Sequence, residues 1–106
     1  MQTKNVKLVV FVPEANADTV RQVMGDAGAG IIGNYSHCSF SSKGFGRFVP
    51  KAGANPTIGE VGKPEMVAEE RIEVLVAREK IEVVVAAMKS AHPYEEVAFD
   101  IYPVEN

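Results

Sequence analysis

Apolar and polar positions along the chain change period several times, and each change marks an element. Val6-Lys7-Leu8-Val9-Val10-Phe11-Val12 is β-branched, apolar on nearly both faces and closed by Pro13. This predicts an inner strand of a sheet covered on at least one face. Ala17, Val20, Met24 and Ala27 then recur at helical spacing while Asp18 and Arg21 point elsewhere. A helix over 14–28 follows, opened by the acidic and Asx residues from Glu14 to Asn16 and closed by Gly28 as a left-handed cap.

Gly28-Ala29-Gly30-Ile31-Ile32-Gly33 has the letters of the dinucleotide fingerprint G-x-G-x-x-G. The order is wrong for it: these glycines follow a helix and precede a strand, so a pyrophosphate would meet the wrong end of the helix dipole. They read as a helix cap and a tight turn. Tyr35-Ser36-His37-Cys38-Ser39-Phe40 alternates and predicts a strand, turned at Ser42-Lys43-Gly44 and answered by a short arm over Phe45–Pro50. From Lys51 to Pro64 the chain is rich in Gly and Pro and has no period, which predicts a long loop of the kind that often carries function. Arg71–Ala77 alternates as a strand that starts a few residues earlier, Ile81, Val84, Val85 and Met88 stripe a second helix over 79–92, and Val97, Phe99, Ile101 and Pro103 alternate in a last strand.

The resulting order, β-α-β-β-α-β, with right-handed crossovers, is an α+β ferredoxin-like sandwich: a four-stranded antiparallel sheet with both helices on one face. Val9 and Phe11 make the other face of the first strand apolar too, so sheet-to-sheet packing in a homo-oligomer is expected.

Composition narrows the function. With 106 residues the chain is expected to be one domain, 1–106, with a core that needs no staples. A net charge of −3 and scattered Lys and Arg offer nothing to nucleic acid. No run approaches the roughly 20 apolar residues of a membrane span, and the N-terminus lacks the length and cleavage site of a signal peptide. A lone cysteine, Cys38, makes no internal disulfide, and a cytoplasmic setting is expected.

The densest chemistry lies at His92-Pro93-Tyr94-Glu95-Glu96. Pro93 ends the second helix and forces His92 out of helical dihedrals, giving a corner with an imidazole, a phenol and two carboxylates. His92 and Glu95 suit a divalent metal ion such as zinc, copper or manganese, with His37 and Cys38 as further candidate ligands and Tyr35 as a neighbour, since the strand after Gly33 and this corner are expected to share one end of the sheet. Adjacent residues on an extended segment point opposite ways, so Glu95 and Glu96 would not share one ion. A metal needs the neutral imidazole, so binding at His92 would weaken below about pH 6.5. The other reading is a small-molecule pocket lined by Tyr35, Arg47, Tyr94 and Glu95, with arginine available for an anionic group. No serine or cysteine nucleophile has a base and orienter marked, so no catalytic residue is assigned. A small hydrolase with His92 as base and Glu95 as its orienter is the enzymatic alternative.

Several motifs occur together. Gly28-Ala29-Gly30, Ile32-Gly33-Asn34-Tyr35, Cys38-Ser39-Phe40, Gly44-x-Gly46-x-Phe48, Gly53-Ala54-x-Pro56-x-Ile58-Gly59, Glu69-x-Arg71-Ile72-Glu73 and His92-Pro93-Tyr94-Glu95-Glu96 span the chain from Val6 to Val104. As a set they are similar to the domain inserted into bacterial proteins of the GTP cyclohydrolase type 2-like (Nif-three, YqfO) family. That domain resembles the PII signalling protein and CutA in fold, and CutA carries a related His-x-Tyr-Glu corner. The resemblance implies a free-standing PII/CutA-like module that binds a small ligand or metal ion, assembles as a homo-oligomer, a trimer by analogy, and serves regulation. The family's two-metal site lies on halves that flank the inserted domain. With only two histidines, this sequence cannot hold that site, so its hydrolase activity is not carried over.

Overall fold

The computed structural model describes residues 3–106. In chain order the elements are β1 (Asn5–Pro13), α1 (Glu14–Asp26), β2 (Phe40–Phe48), β3 (Glu65–Ala77), a 3-10 turn (Arg78–Lys80), α2 (Ile81–Ala91) and β4 (Phe99–Pro103). The strands form one sheet in the order β2-β3-β1-β4, and every neighbouring pair is antiparallel. This is the ferredoxin-like order expected from the sequence.

Alternation explains the core. Val6, Leu8, Val10 and Val12 face one way along β1, and none is more than 1% exposed. Their cross-strand partners in β3 include Val76, Val74 and Ile72, which the register places on the same face. Ala17, Val20 and Met24 of α1 and Val84 and Met88 of α2 close over this face. The helices therefore share one side of the sheet. Arg21 of α1 reaches down to Glu70 and to Ser41 Oγ (3.0 Å), tying the helix to β3 and β2.

The glycine reading after α1 holds. Gly28 has φ +110°, its N–H donates to Gly25 O (3.0 Å), and Ala29 N–H donates to Met24 O (3.0 Å). That pair of bonds is a Schellman cap. Gly33 (φ +56°) then sits in a tight turn between Ile32 and Tyr35, which exchange both backbone hydrogen bonds.

The expected hairpin across Ser42-Lys43-Gly44 is not there. Residues 40–48 form a single strand paired without interruption to β3, from Phe40 opposite Glu73 to Phe48 opposite Glu65. β3 is long enough to partner the whole run, and a continuous ladder satisfies more backbone groups than a turn would. Tyr35–Ser39 is not a strand either. Gly30 N–H donates to Leu75 O (2.7 Å), so the segment from Gly30 occupies the β3 edge there, and His37 takes a left-handed φ of 58°.

The second face of β1 also differs from expectation. Val9 is fully buried within the single chain, and Phe11 lies under the Arg71 guanidinium, 5.6 Å from its ring centroid. With Val9 buried in the single chain and Arg71 laid over Phe11, the stripe does not by itself call for a second subunit. Apolar surface is exposed instead on the β2–β3 ribbon. β3 residues 65–68 pair with β2 alone, so the ribbon projects past β1 by about 13 Å at strand rise. Phe45 and Met66 on that projection are 65% and 51% exposed.

Leu8 is fully buried between sheet and helices. Leu8→Ala is expected to destabilise the fold by about 2–5 kcal/mol. Urea unfolding followed by circular dichroism measures it, and a loss under about 1 kcal/mol would contradict this core assignment.

Candidate functional site

The corner after α2 is built as its sequence demands. His92 leaves the helix with φ −81° and ψ 137°, while its N–H still bonds Met88 O (3.0 Å). The imidazole turns inward and is 7% exposed. Its Nε2 lies 2.7 Å from Phe11 O, and its Nδ1 accepts the Tyr94 N–H at 3.2 Å. A carbonyl can only accept, so Nε2 carries the proton and Nδ1 is the acceptor. Both ring nitrogens are thus occupied in holding the corner onto the end of β1. Pairing to β4 ends at Val10 opposite Phe99, and the Phe11 N–H bonds Ala98 O (3.2 Å). His92 supplies the donor that a longer strand would have given to Phe11.

Glu95 points away from His92. Its Oε1 accepts the Asn55 N–H at 2.9 Å, and Thr57 Oγ1 donates to Pro93 O at 2.7 Å. These two bonds pin the crown of the loop 49–64 to the corner, and Gly62 N–H to Pro50 O (2.8 Å) closes its base. A His92–Glu95 dyad is therefore not assembled, and neither is the base–orienter pair of the hydrolase alternative.

Between loop, corner and ribbon lies a cavity of about 440 Å³. Phe11, Phe48, Pro50, Pro56 and Ile58 give it apolar walls, and Tyr94, Glu95, Glu96, Arg47 and Glu69 bring polar groups to it. Its volume lies in the range of small-molecule sites. The Phe48 and Tyr94 rings meet edge-on with centroids 6.0 Å apart, and the His92 ring backs Tyr94 at 5.1 Å.

Glu69 is the unexpected member. It is 8% exposed, and the Tyr94 hydroxyl donates to its Oε2 at 3.1 Å. The carboxylate lies across β2 where Gly46 has no side chain; a Cβ there would stand 2.3 Å from Glu69 Oε1. Gly46 is thus a glycine of close approach within a strand. Burial, and then the hydrogen bond and charge of Glu69, push the Tyr94 phenol well above the ordinary tyrosine range.

Of the residues expected at a site, Arg47, Tyr94 and Glu95 meet around this one cavity, with His92 behind Tyr94. Tyr35, His37 and Cys38 do not join them. The His37 ring packs over Gly25, with Nε2 2.9 Å from Asp26 Oδ1 and Nδ1 2.9 Å from Ser36 Oγ. That hydrogen bond, helped by one from Gln22, holds the Asp26 carboxyl below its usual range. Asp26 ends α1 while Phe11, which His92 grips, lies just before its start, so about 18 Å of helix separates the two histidines. Tyr35 is 75% exposed on the same far turn. The two turns occupy opposite ends of the sheet, contrary to the topological expectation that they share one. Among the described residues no group of three or more His, Cys, Asp or Glu side chains stands close enough to hold a metal ion.

No family model matches the chain. It is 54% identical over 99 residues to a Bacillus subtilis protein named GTP cyclohydrolase 1 type 2 homolog, covering 93% of this chain and 26% of that one. The crystal structure of a Bacillus cereus protein related to NIF3 superposes with a TM-score of 0.84 at 52% identity, over 96% of this chain and 26% of that one. The periplasmic divalent cation tolerance protein CutA from Archaeoglobus fulgidus superposes with a TM-score of 0.70 at 17% identity, over 96% of this chain and 85% of that one. The chain has a PII/CutA-like fold and is similar to one segment of the GTP cyclohydrolase 1 type 2 homologs. It spans about a quarter of the length of those curated relatives. The CutA likeness, at such low identity, is one of fold.

A phenol whose folded-state pKa is raised stabilises the fold fully below the ordinary tyrosine pKa near 10, and that contribution is lost as pH rises beyond it. The PII/CutA-like domain should therefore lose stability above about pH 10 more steeply than its Tyr94→Phe variant does. Denaturant midpoints for both proteins between pH 8 and 11 check this. Parallel curves would show that the Tyr94 hydroxyl is not held as described.

Proposed function

We propose that this domain is a non-catalytic binding module of regulatory type, taking a small ligand in the cavity between the β2–β3 ribbon, the loop 49–64 and the His-Pro-Tyr-Glu-Glu corner. The observation that carries the reading is the cavity itself: apolar walls of Phe11, Phe48, Pro50, Pro56 and Ile58 around a few convergent polar groups. The fold shared with CutA is in keeping with it. The ring nitrogens of His92 are taken up by backbone, so its part is to position Tyr94 and the corner.

Amide NMR of the labelled domain against a fragment library tests this. Shifts are expected to cluster at Phe48, Ile58 and Tyr94, and Ala98→Trp, which places an indole at the cavity wall, should weaken those fragments about tenfold or more. Hits that gather elsewhere, or that ignore Ala98→Trp, would remove the reading.

The same reading includes self-association through the projecting ribbon, supported by exposed Phe45 and Met66. Light scattering at micromolar protein should give a mass above 11.4 kDa. The double variant Phe45→Glu, Met66→Glu should return it to that mass. A wild-type protein that scatters as a single chain would end the self-association proposal.

A further inference from the structure

Glu69 and Pro50 are the two buried residues of the cavity lining. A carboxylate so placed is costly unless its oxygens are paired. Tyr94 donates one hydrogen bond to Oε2, and among the described residues no Lys, Arg or His forms an ion pair with Glu69. The sheet has been shaped to admit the group: Gly46 leaves the space it fills. Arg47 and Lys51 also line the cavity, but both are exposed. Their charges are solvated and screened, and count for little beside a desolvated one. Glu95 and Glu96, on the exposed rim, add the same sign as Glu69.

Resting on the reading of this cavity as a ligand site, we propose that it selects a ligand with a cationic nitrogen head on an apolar body. The Glu69 carboxylate is the counter-charge, and Phe11, Phe48, Pro56 and Ile58 enclose the body. An ammonium or amidinium donates to Oε1 while Tyr94 keeps its bond to Oε2. Each charge-assisted hydrogen bond formed there is stronger than its neutral counterpart. An anionic ligand would have to lie against a buried negative charge.

The test uses three probes with one aromatic body: phenethylamine, phenethyl alcohol and hydrocinnamate, titrated into the labelled domain at pH 7 and low salt. Phenethylamine is expected to bind about tenfold or more tighter than the alcohol, with shifts at Gly46, Phe48 and Tyr94, and hydrocinnamate to bind weakest. Glu69→Gln should level the amine with the alcohol. Glu96→Gln, which removes an exposed rim charge and leaves Glu69 and Tyr94 in place, should preserve the amine preference and serves if Glu69→Gln fails to fold. Hydrocinnamate binding as tightly as the amine, or a preference that survives in folded Glu69→Gln, overturns the cation assignment while leaving the pocket reading in place. If none of the three moves a cavity resonance, both are overturned.

Discussion

β1 has a hydrogen-bonded strand on each edge and a layer of helices over one face, and the remainder of the chain is arranged to supply them. A slip of one residue in its register would bring Lys7 and Phe11 under the helices and expel Leu8 and Val10, so the alternation leaves one register open. β4 covers the outer edge only as far as Val10. Beyond that point the Phe11 carbonyl needs a donor, and the His92 ring is the group that reaches it. The chemistry-rich corner is in this sense a repair to the end of a strand. Its imidazole serves the fold, and that service places Tyr94 and Glu95 at the mouth of a cavity.

The cavity in turn depends on a strand made thin. Gly46 lies on the face where Glu69 emerges, and with a side chain there the carboxylate could not fold across β2. The Tyr94 hydroxyl then has a partner, and its ring is braced between Phe48 and His92. A corner after a helix, a glycine in one strand and an acid in the next thus form a single unit, although they lie far apart in sequence.

Much of the fold was legible because apolar spacing reports burial. β1, α1, α2 and the Gly28 cap lie where their patterns put them, within a residue or two at the ends. β2 was misread because Ser42-Lys43-Gly44 has turn composition, and composition cannot report that a thirteen-residue partner strand lies alongside. The site was half legible. Tyr94, Glu95 and Arg47 were named from chemistry and do line the cavity. Tyr35, His37 and Cys38 were added on the supposition that two turns share one end of the sheet, which no local pattern can decide. Glu69 enters the sequence reading only within the motif Glu69-x-Arg71-Ile72-Glu73, with no role of its own. The available signal was Gly46: a glycine inside a strand marks something approaching closely, and an acid in a neighbouring strand was a fair candidate.

The loop 49–64 is fastened at its base by one backbone bond and at its crown by the bonds from Asn55 to Glu95 and from Thr57 to Pro93. The crown bonds are exposed, and at about 1 kcal/mol each their rupture costs little. An unlatched loop would then be populated at about a few per cent, while the sheet beneath stays intact. Entry and exit would pass through this minor state. Latches that part so cheaply add little to an occupant's dwell time, which would rest on the contacts inside the cavity.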